Sequence, residues 1–236
     1  MTAPSRRDEI ASGLQAVRHQ IATAATAAGR DPAQVTLVVV TKTFPTSDIR
    51  LLSELGVRDI AENRHAEAAE KAAELADLGL VWHFVGQVQS NKAARIASYA
   101  EVVHSVDSVR LAHRLGAGAE HHGRTVTCLV QISLDRPSAG AGRGGAAPAD
   151  VPAVVEAVAT TGGLRLGGVM ALAPLGEPPA NSFARLAEIA REIRGDHPSA
   201  TMLSAGMSED FPAAVEAGAT HVRVGSAVLG SRPPLG

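Results

Sequence analysis

The sequence predicts an α/β fold in which residues 1–236 form a single (β/α)8 barrel, preceded within that span by an extra N-terminal helix,. Three observations carry that expectation. Apolar strand patterns alternate with helical ones along the whole chain, which implies a parallel sheet whose crossover helices cover its faces. The count reaches eight strands within about 200 residues and without an interdomain linker, which suits a closed barrel better than an open sheet. The first strand is written for burial on both faces, because Val35-Thr36-Leu37-Val38-Val39-Val40 is apolar at every position but Thr36,.

Taken in order, Arg7 to Gly29 reads as a helix, with Ile10, Leu14, Val17 and Ile21 at helical spacing and Gly29 at the C-cap position,. Strand 1 runs from Val35 to Lys42, where Pro45 stops its extension,. Thr46 or Ser47 caps a helix that ends at Gly56, and Asp59-Ile60-Ala61 is a short second strand delivering Glu62 and Asn63,. A helix over Arg64–Ala76 leads to strand 3, Val81–Val85, and Ser90 or Asn91 caps a helix through Tyr99. Strand 4 is Glu101–His104, a helix follows from Asp107 or Ser108 to Glu120, and strand 5 is Thr125–Ser133. Residues Arg136–Pro148 are small and Gly-rich and read as a mobile loop,. Helix Ala149–Thr160, strand Leu164–Leu172, helix Ser182–Arg194, strand Thr201–Ser204, helix Ser208–Ala217 and strand His221–Val224 complete the count.

The alternative architecture is a doubly wound sheet. Its dinucleotide fingerprint belongs directly after the first strand, where this chain has Thr43-Phe44-Pro45,. The formal G-x-G-x-x-G at Gly140, Gly142 and Gly145 follows strand 5 in a low-complexity stretch and is read as coincidence,.

Composition removes several classes of function. The net charge is −2 with both signs scattered, so there is no basic footprint for nucleic acid or an anionic membrane,. No apolar run approaches a membrane span, and Met1 to Arg18 lacks the core of a signal peptide,. The single cysteine, Cys128, excludes an internal disulfide and a cysteine metal site, and fits a reducing cytoplasm,. His121 and His122 are adjacent and cannot face one metal from a helix, so no metal is expected,.

The residue that stands out is Lys42. The chain uses three lysines, Lys42, Lys71 and Lys92, against nineteen arginines, so a lysine at the end of a buried strand suits chemistry that arginine cannot do. A partly desolvated lysine can give up its proton and attack a carbonyl, whereas a snorkelling lysine at a strand end is the plain alternative. Barrel sites are built at strand C-termini, which here collects Lys42, Asn63, Gln87, Gln89, His104, Ser133, Met170, Ser204-Ala205-Gly206-Met207-Ser208 and Arg223-Val224-Gly225-Ser226,. The last two clusters are rich in glycine and hydroxyl groups, as phosphate cradles are. A nucleophilic lysine opposite a phosphate site suits pyridoxal 5′-phosphate or a phosphorylated sugar, and residue logic alone leaves both open. His83 and His104 read as hydrogen-bonded core histidines, and Lys92 as a helix-start surface residue.

Thr41-Lys42-Thr43, Glu62-Asn63-Arg64, Trp82 to Lys92, His104-Ser105-Val106-Asp107, Ser204 to Asp210 and Arg223 to Ala227 together resemble the pyridoxal phosphate homeostasis protein family, also called YggS-like or proline synthase co-transcribed proteins. The resemblance implies a barrel like the N-terminal domain of alanine racemase, with pyridoxal phosphate held as a Schiff base on Lys42. It further implies that Ser204, Gly206, Met207, Ser208, Gly225 and Ser226 surround the phosphate, that Asn63 lies near the ring, and that Arg223 faces the pyridine nitrogen. A fixed positive charge there disfavours ring protonation and weakens the ring as an electron sink. Ala61, Ala205 and the Gly-rich segment with Arg143 depart from the family pattern and bear only on how that segment closes over the ligand.

Two functions follow from the resemblance. One is a cytoplasmic, monomeric carrier that serves pyridoxal phosphate homeostasis without turnover and passes the cofactor to pyridoxal phosphate-dependent apo-enzymes. The other is an amino-acid racemase-like enzyme, which needs a base on each face of the substrate carbon. Lys42 supplies one; the only tyrosine, Tyr99, is expected in the helix after strand 3, and the chain ends soon after strand 8 without the second domain of the racemases, which favours the carrier. A Schiff-base aldolase would have only Glu62 and His104 as acid/base candidates.

Overall fold

Ser5 starts the first helix. Its hydroxyl accepts the N–H of Asp8 while the Asp8 carboxylate accepts the N–H of Ser5, a capping box that opens α1 (Arg6–Ala27),. Gly29, at φ 66°, turns the chain out of it,. Ile10, Leu14, Val17 and Ile21 are all buried, so the helical spacing read from sequence is the packed face,.

The computed structural model describes residues 4–135 and 144–231, and its strands close in chain order into one parallel barrel. The strands are β1 (Thr36–Val40), β2 (Asp59–Glu62), β3 (Val81–Phe84), β4 (Val102–Val106), β5 (Val126–Gln131), β6 (Leu164–Met170), β7 (Met202–Ser204) and β8 (His221–Val224). Closure is made by β8 pairing with β1, where Val38 lies beside Arg223. The crossover helices are α2 (Thr46–Glu54), α3 (His65–Glu74), α4 (Ala93–Ala97), α5 (Val109–His121), α6 (Val151–Thr160), α7 (Pro179–Asp196) and α8 (Phe211–Glu216), followed by α9 (Ser226–Leu229). The eight-stranded α/β barrel and its added N-terminal helix are thus as the sequence implied. The mobile-loop expectation for Arg136–Pro148 falls largely on residues 136–143, outside the described residues.

Several boundaries differ, each for a local reason. β1 stops at Val40, because the chain turns at Thr41–Phe44 before Lys42 can pair. α7 begins at Pro179, where a missing N–H costs nothing in the first turn, and Ser182, the expected first residue, is buried inside the helix,. α8 begins at Phe211 instead of Ser208: Pro212 is confined to the first turn, and residues 207–210 form a turn of their own,. α4 is short, preceded by a 3-10 turn at Ser90–Lys92, and leaves Tyr99 beyond its end.

Strand parity sorts the core into two layers. Trp82, Phe84, Val103, Val126, Cys128, Val130, Val169, Leu203, Val222 and Val224 join the large cluster shared with the helices. The alternate positions Val102, Leu129 and Met170, with Val81 and Met202 against them, make a small cluster of their own inside the barrel. Burial pushes the Cys128 thiol up to about 12, leaving it an inert packing group,. Other inward positions, among them His83, His104, Ser204 and Arg223, are polar, and that is where the site begins.

Candidate functional site

His83, His104, Ser204 and Arg223 share the inward parity and form a hydrogen-bonded column through the barrel. Arg223 Nη1 donates to Ser204 Oγ at 2.6 Å, and Ser204 Oγ lies 2.9 Å from His104 Nδ1. His104 Nε2 is 2.8 Å from His83 Nδ1, and His83 Nε2 is 3.0 Å from Asp59 Oδ1. With both imidazoles neutral, only one polarity satisfies every bond: Ser204 O–H donates to His104, His104 to His83, and His83 to the carboxylate, which cannot donate. The two histidines are therefore hydrogen-bonded core residues, as their strand positions suggested.

Burial, then the neighbouring His83 and Arg223, holds the fully buried His104 well below the usual histidine range,. Burial, with His83 next, likewise depresses His221 from 6.5 to about 4. The unfolded chain would bind protons on both below pH 6.5 while the folded chain does not. Stability present above that pH is therefore lost as pH falls, by about 1.4 kcal/mol per pH unit for each histidine. Urea unfolding should show this decline between pH 6.5 and about 4, and His221→Asn should reduce its slope by one proton's worth.

Above the column, at the C-terminal ends of the strands, opens a cavity of about 930 Å³. Of the residues expected at the site, Lys42, Asn63, Met207, Ser208, Arg223, Gly225 and Ser226 line it. Ser204 and Gly206 do not. The Ser204 hydroxyl is fully buried inside the barrel and committed to His104 and Arg223. Gly206 acts through its backbone: its φ is 87°, and a Cβ would lie 2.6 Å from Phe211 Cα,. Gln87, Gln131, Met170 and Phe44 line the cavity as well.

Each contributing loop has a visible cause. Lys42 occupies the second position of a β-turn closed by Phe44 N–H donating to Thr41 O at 3.0 Å. The third position, Thr43, has φ 70°, a left-handed conformation that a β-branched residue rarely adopts,. On the far side, the Met207 N–H donates to Asp210 Oδ1 at 2.6 Å, fixing the turn before α8, and Ser226 Oγ lies 3.1 Å from Ser208 Oγ. Gly225 lets β8 pass close to β1, since a Cβ would lie 3.0 Å from Val40 O. Arg223 Nη2 also donates to Ala171 O at 3.1 Å. Burial lowers Arg223 to about 10, so it remains a cation at neutral pH.

Asn63 Oδ1 is buried without a hydrogen-bond partner, as are Oε2 of Glu62, the last residue of β2, and Thr43 Oγ1 in the turn after β1. Tyr99 is not among the lining residues; its hydroxyl faces His65 Nδ1 at 3.5 Å. Among the described residues, no group of three or more His, Cys, Asp or Glu side chains is placed to hold a metal ion, and no helix is long and apolar enough to cross a membrane. Glu67 and Lys71, which lie beneath the Lys42 turn with Glu62, belong to no expected site, and Glu62 entered only as an acid/base candidate for an aldolase; the scarcity of lysine is the signal that singles out Lys71.

Comparison with known proteins agrees with this geometry. The family model described as alanine racemase, N-terminal domain, matches residues 13–233. A pyridoxal phosphate homeostasis protein of Mycobacterium tuberculosis is 40% identical over 245 residues, spanning 97% of this chain and 95% of that protein. The Escherichia coli protein of the same name is 34% identical over 95% of this chain and 97% of its own length. The structure of PipY of Synechococcus elongatus, solved with PLP bound, superposes with a TM-score of 0.81 at 36% identity, covering 94% of this chain and all of PipY. On this breadth of similarity, the chain belongs to the pyridoxal phosphate homeostasis protein family, within the alanine racemase N-terminal domain fold.

Proposed function

We propose that this chain binds pyridoxal 5′-phosphate, with the Lys42 amine forming a Schiff base to its aldehyde, and acts in the homeostasis of that cofactor without turnover of its own. The observation that carries the reading is the placement of Lys42 and the Ser208–Ser226 hydroxyl pair on one cavity whose floor holds a buried cation, Arg223. The residues fit such a ligand: the unpartnered Asn63 Oδ1 wants a donor, and the 206–208 and 225–226 segments bring small residues and hydroxyls to one side. In this reading Ser208, Ser226, Gly225 and the backbone of Gly206 and Met207 receive the phosphate. Asn63 lies near the ring, and Arg223 faces the pyridine nitrogen. Ser204 serves indirectly, by holding Arg223.

When bound, the cofactor supplies an aldehyde electrophile and, on protonation, an electron sink. Arg223, already a donor to Ser204 and Ala171, cannot hand a proton to the ring nitrogen cheaply,. That favours storage over carbanion chemistry. The same conclusion is supported by Tyr99, the sole tyrosine, lying away from the cavity lining, so it supplies no second base for racemisation,. We place the protein in the cytoplasm as a monomer, with pyridoxal phosphate-dependent apo-enzymes as recipients.

The test is titration of the purified protein with pyridoxal phosphate, followed by L- and then D-alanine. A visible absorption band with no racemisation or transamination is expected. Sustained turnover of either enantiomer would make the protein an enzyme and overturn the carrier reading.

A further inference from the structure

Lys71 is one of three lysines in a chain with nineteen arginines, and it is buried, with 7% of its surface exposed. It projects from α3 toward the end of β1. Its ammonium donates to three oxygens: Thr41 O at 2.9 Å, Glu62 Oε1 at 2.8 Å and Glu67 Oε1 at 2.6 Å. Those oxygens are not a random set. Thr41 precedes Lys42, and its hydroxyl also donates to Glu62 Oε1 at 2.8 Å. Thr43 follows Lys42, and its N–H donates to Glu67 Oε1 at 2.7 Å. Both neighbours of Lys42 are thus tied to one cluster in which Lys71 and Glu62 are buried and Glu67 is partly exposed.

The cluster has work to offset. A β-branched residue at φ 70° is strained and persists only where its surroundings hold it,. The Glu67 carboxylate on the Thr43 N–H supplies that hold, and Lys71 keeps Glu67 in place from one helical turn away,. Three acceptors around one nitrogen match the three donors of an ammonium; a planar guanidinium fork would not reach all three. Burial would raise the Glu67 carboxyl, but hydrogen bonds from Lys71 and the Thr43 N–H bring it below its ordinary value, so it is charged when it acts.

We propose that Lys71, with Glu62 and Glu67, is a positioning residue for Lys42: it pins the strained turn so that the Lys42 amine is presented in attack geometry to an aldehyde in the cavity. This rests on the reading of Lys42 as the amine that reacts with pyridoxal phosphate, expelling water. The proposal separates ligand binding from amine placement, and a matched pair of ligands separates the same two things. Pyridoxine 5′-phosphate carries an alcohol where pyridoxal 5′-phosphate carries the aldehyde, so it reports the cavity and phosphate contacts alone.

The experiment measures, for Lys71→Arg, Glu67→Ala and Glu67→Gln, the dissociation constant of pyridoxine 5′-phosphate and the stopped-flow rate at which pyridoxal 5′-phosphate gains its Schiff-base absorbance. For Lys71→Arg and Glu67→Ala, affinity for the alcohol should stay within about twofold while the rate falls at least about tenfold, because small displacements of a reacting group cost rate steeply. Glu67→Gln keeps an oxygen for the Thr43 N–H and should recover most of the rate. Should Lys71→Arg fail to fold, the two Glu67 variants decide. Unchanged rates, or parallel loss of alcohol affinity and rate, would overturn the positioning role. If the unsubstituted protein binds the alcohol yet borohydride traps nothing on Lys42, the reading of Lys42 itself fails and this proposal falls with it.

Discussion

Lys42→Ala is expected to abolish the visible absorption band that forms with pyridoxal phosphate and to weaken cofactor binding by at least about tenfold, or about 1.4 kcal/mol. The substitution removes the sole lysine that lines the cavity, since Lys71 is occupied beneath the turn and Lys92 is not among the lining residues. The phosphate side is untouched, so pyridoxine 5′-phosphate should still bind. A difference spectrum and a fluorescence titration on the same preparation check both halves. Retention of the band would move the reacting amine elsewhere.

Gly86→Ala should be the most damaging single methyl in the site. A Cβ at Gly86 would stand 2.0 Å from Asn63 O and within 3 Å of Asn63 C and Cα, all backbone atoms of the neighbouring loop that no rotamer change can clear. Overpacking of this kind costs about 1–3 kcal/mol, and the upper end is expected where only backbone can move. Asn63 would be pushed from its place in the cavity, so the variant should lose stability in urea and also lose ligand affinity in excess of that loss. Parental stability and affinity would show that the loops after β2 and β3 are not packed as closely as described.

Much of the fold was legible because it is carried by short-range rules. Valine runs mark β1, alternating parity separates Trp82 and Phe84 from Val81 and His83, and the helix faces repeat at the proper spacing,. The four-residue α9 was not legible, because Ser226–Leu229 is too short to show a period. Within the site, Lys42 was legible from lysine scarcity and Arg223 from its family motif. The direction of Ser204 was not: it depends on the parity of a three-residue strand paired with β8 at Ser204–His221. A serine in a glycine-rich motif reads as a phosphate ligand, and only the folded barrel brings its hydroxyl to His104 and Arg223. The Glu62–Lys71–Glu67 cluster was hidden for another reason. Lys71 and Glu67 are neighbours on a helix, but their meaning comes from Thr41 and Thr43, 30 and 24 residues away and joined to them only in the folded barrel.

The same contrast explains why the acid sensitivity expected of this protein is not visible in its composition. Among nine histidines, His104 and His221 matter because the barrel buries them beside Arg223, and no local pattern announces that.

The most direct test of the account is borohydride reduction of the protein after incubation with pyridoxal 5′-phosphate, followed by peptide mapping in a mass spectrometer. With lysines only at 42, 71 and 92, the map is simple to read. One phosphopyridoxyl group, on Lys42, is expected. A group on Lys92 or Lys71 with Lys42 unmodified would contradict it.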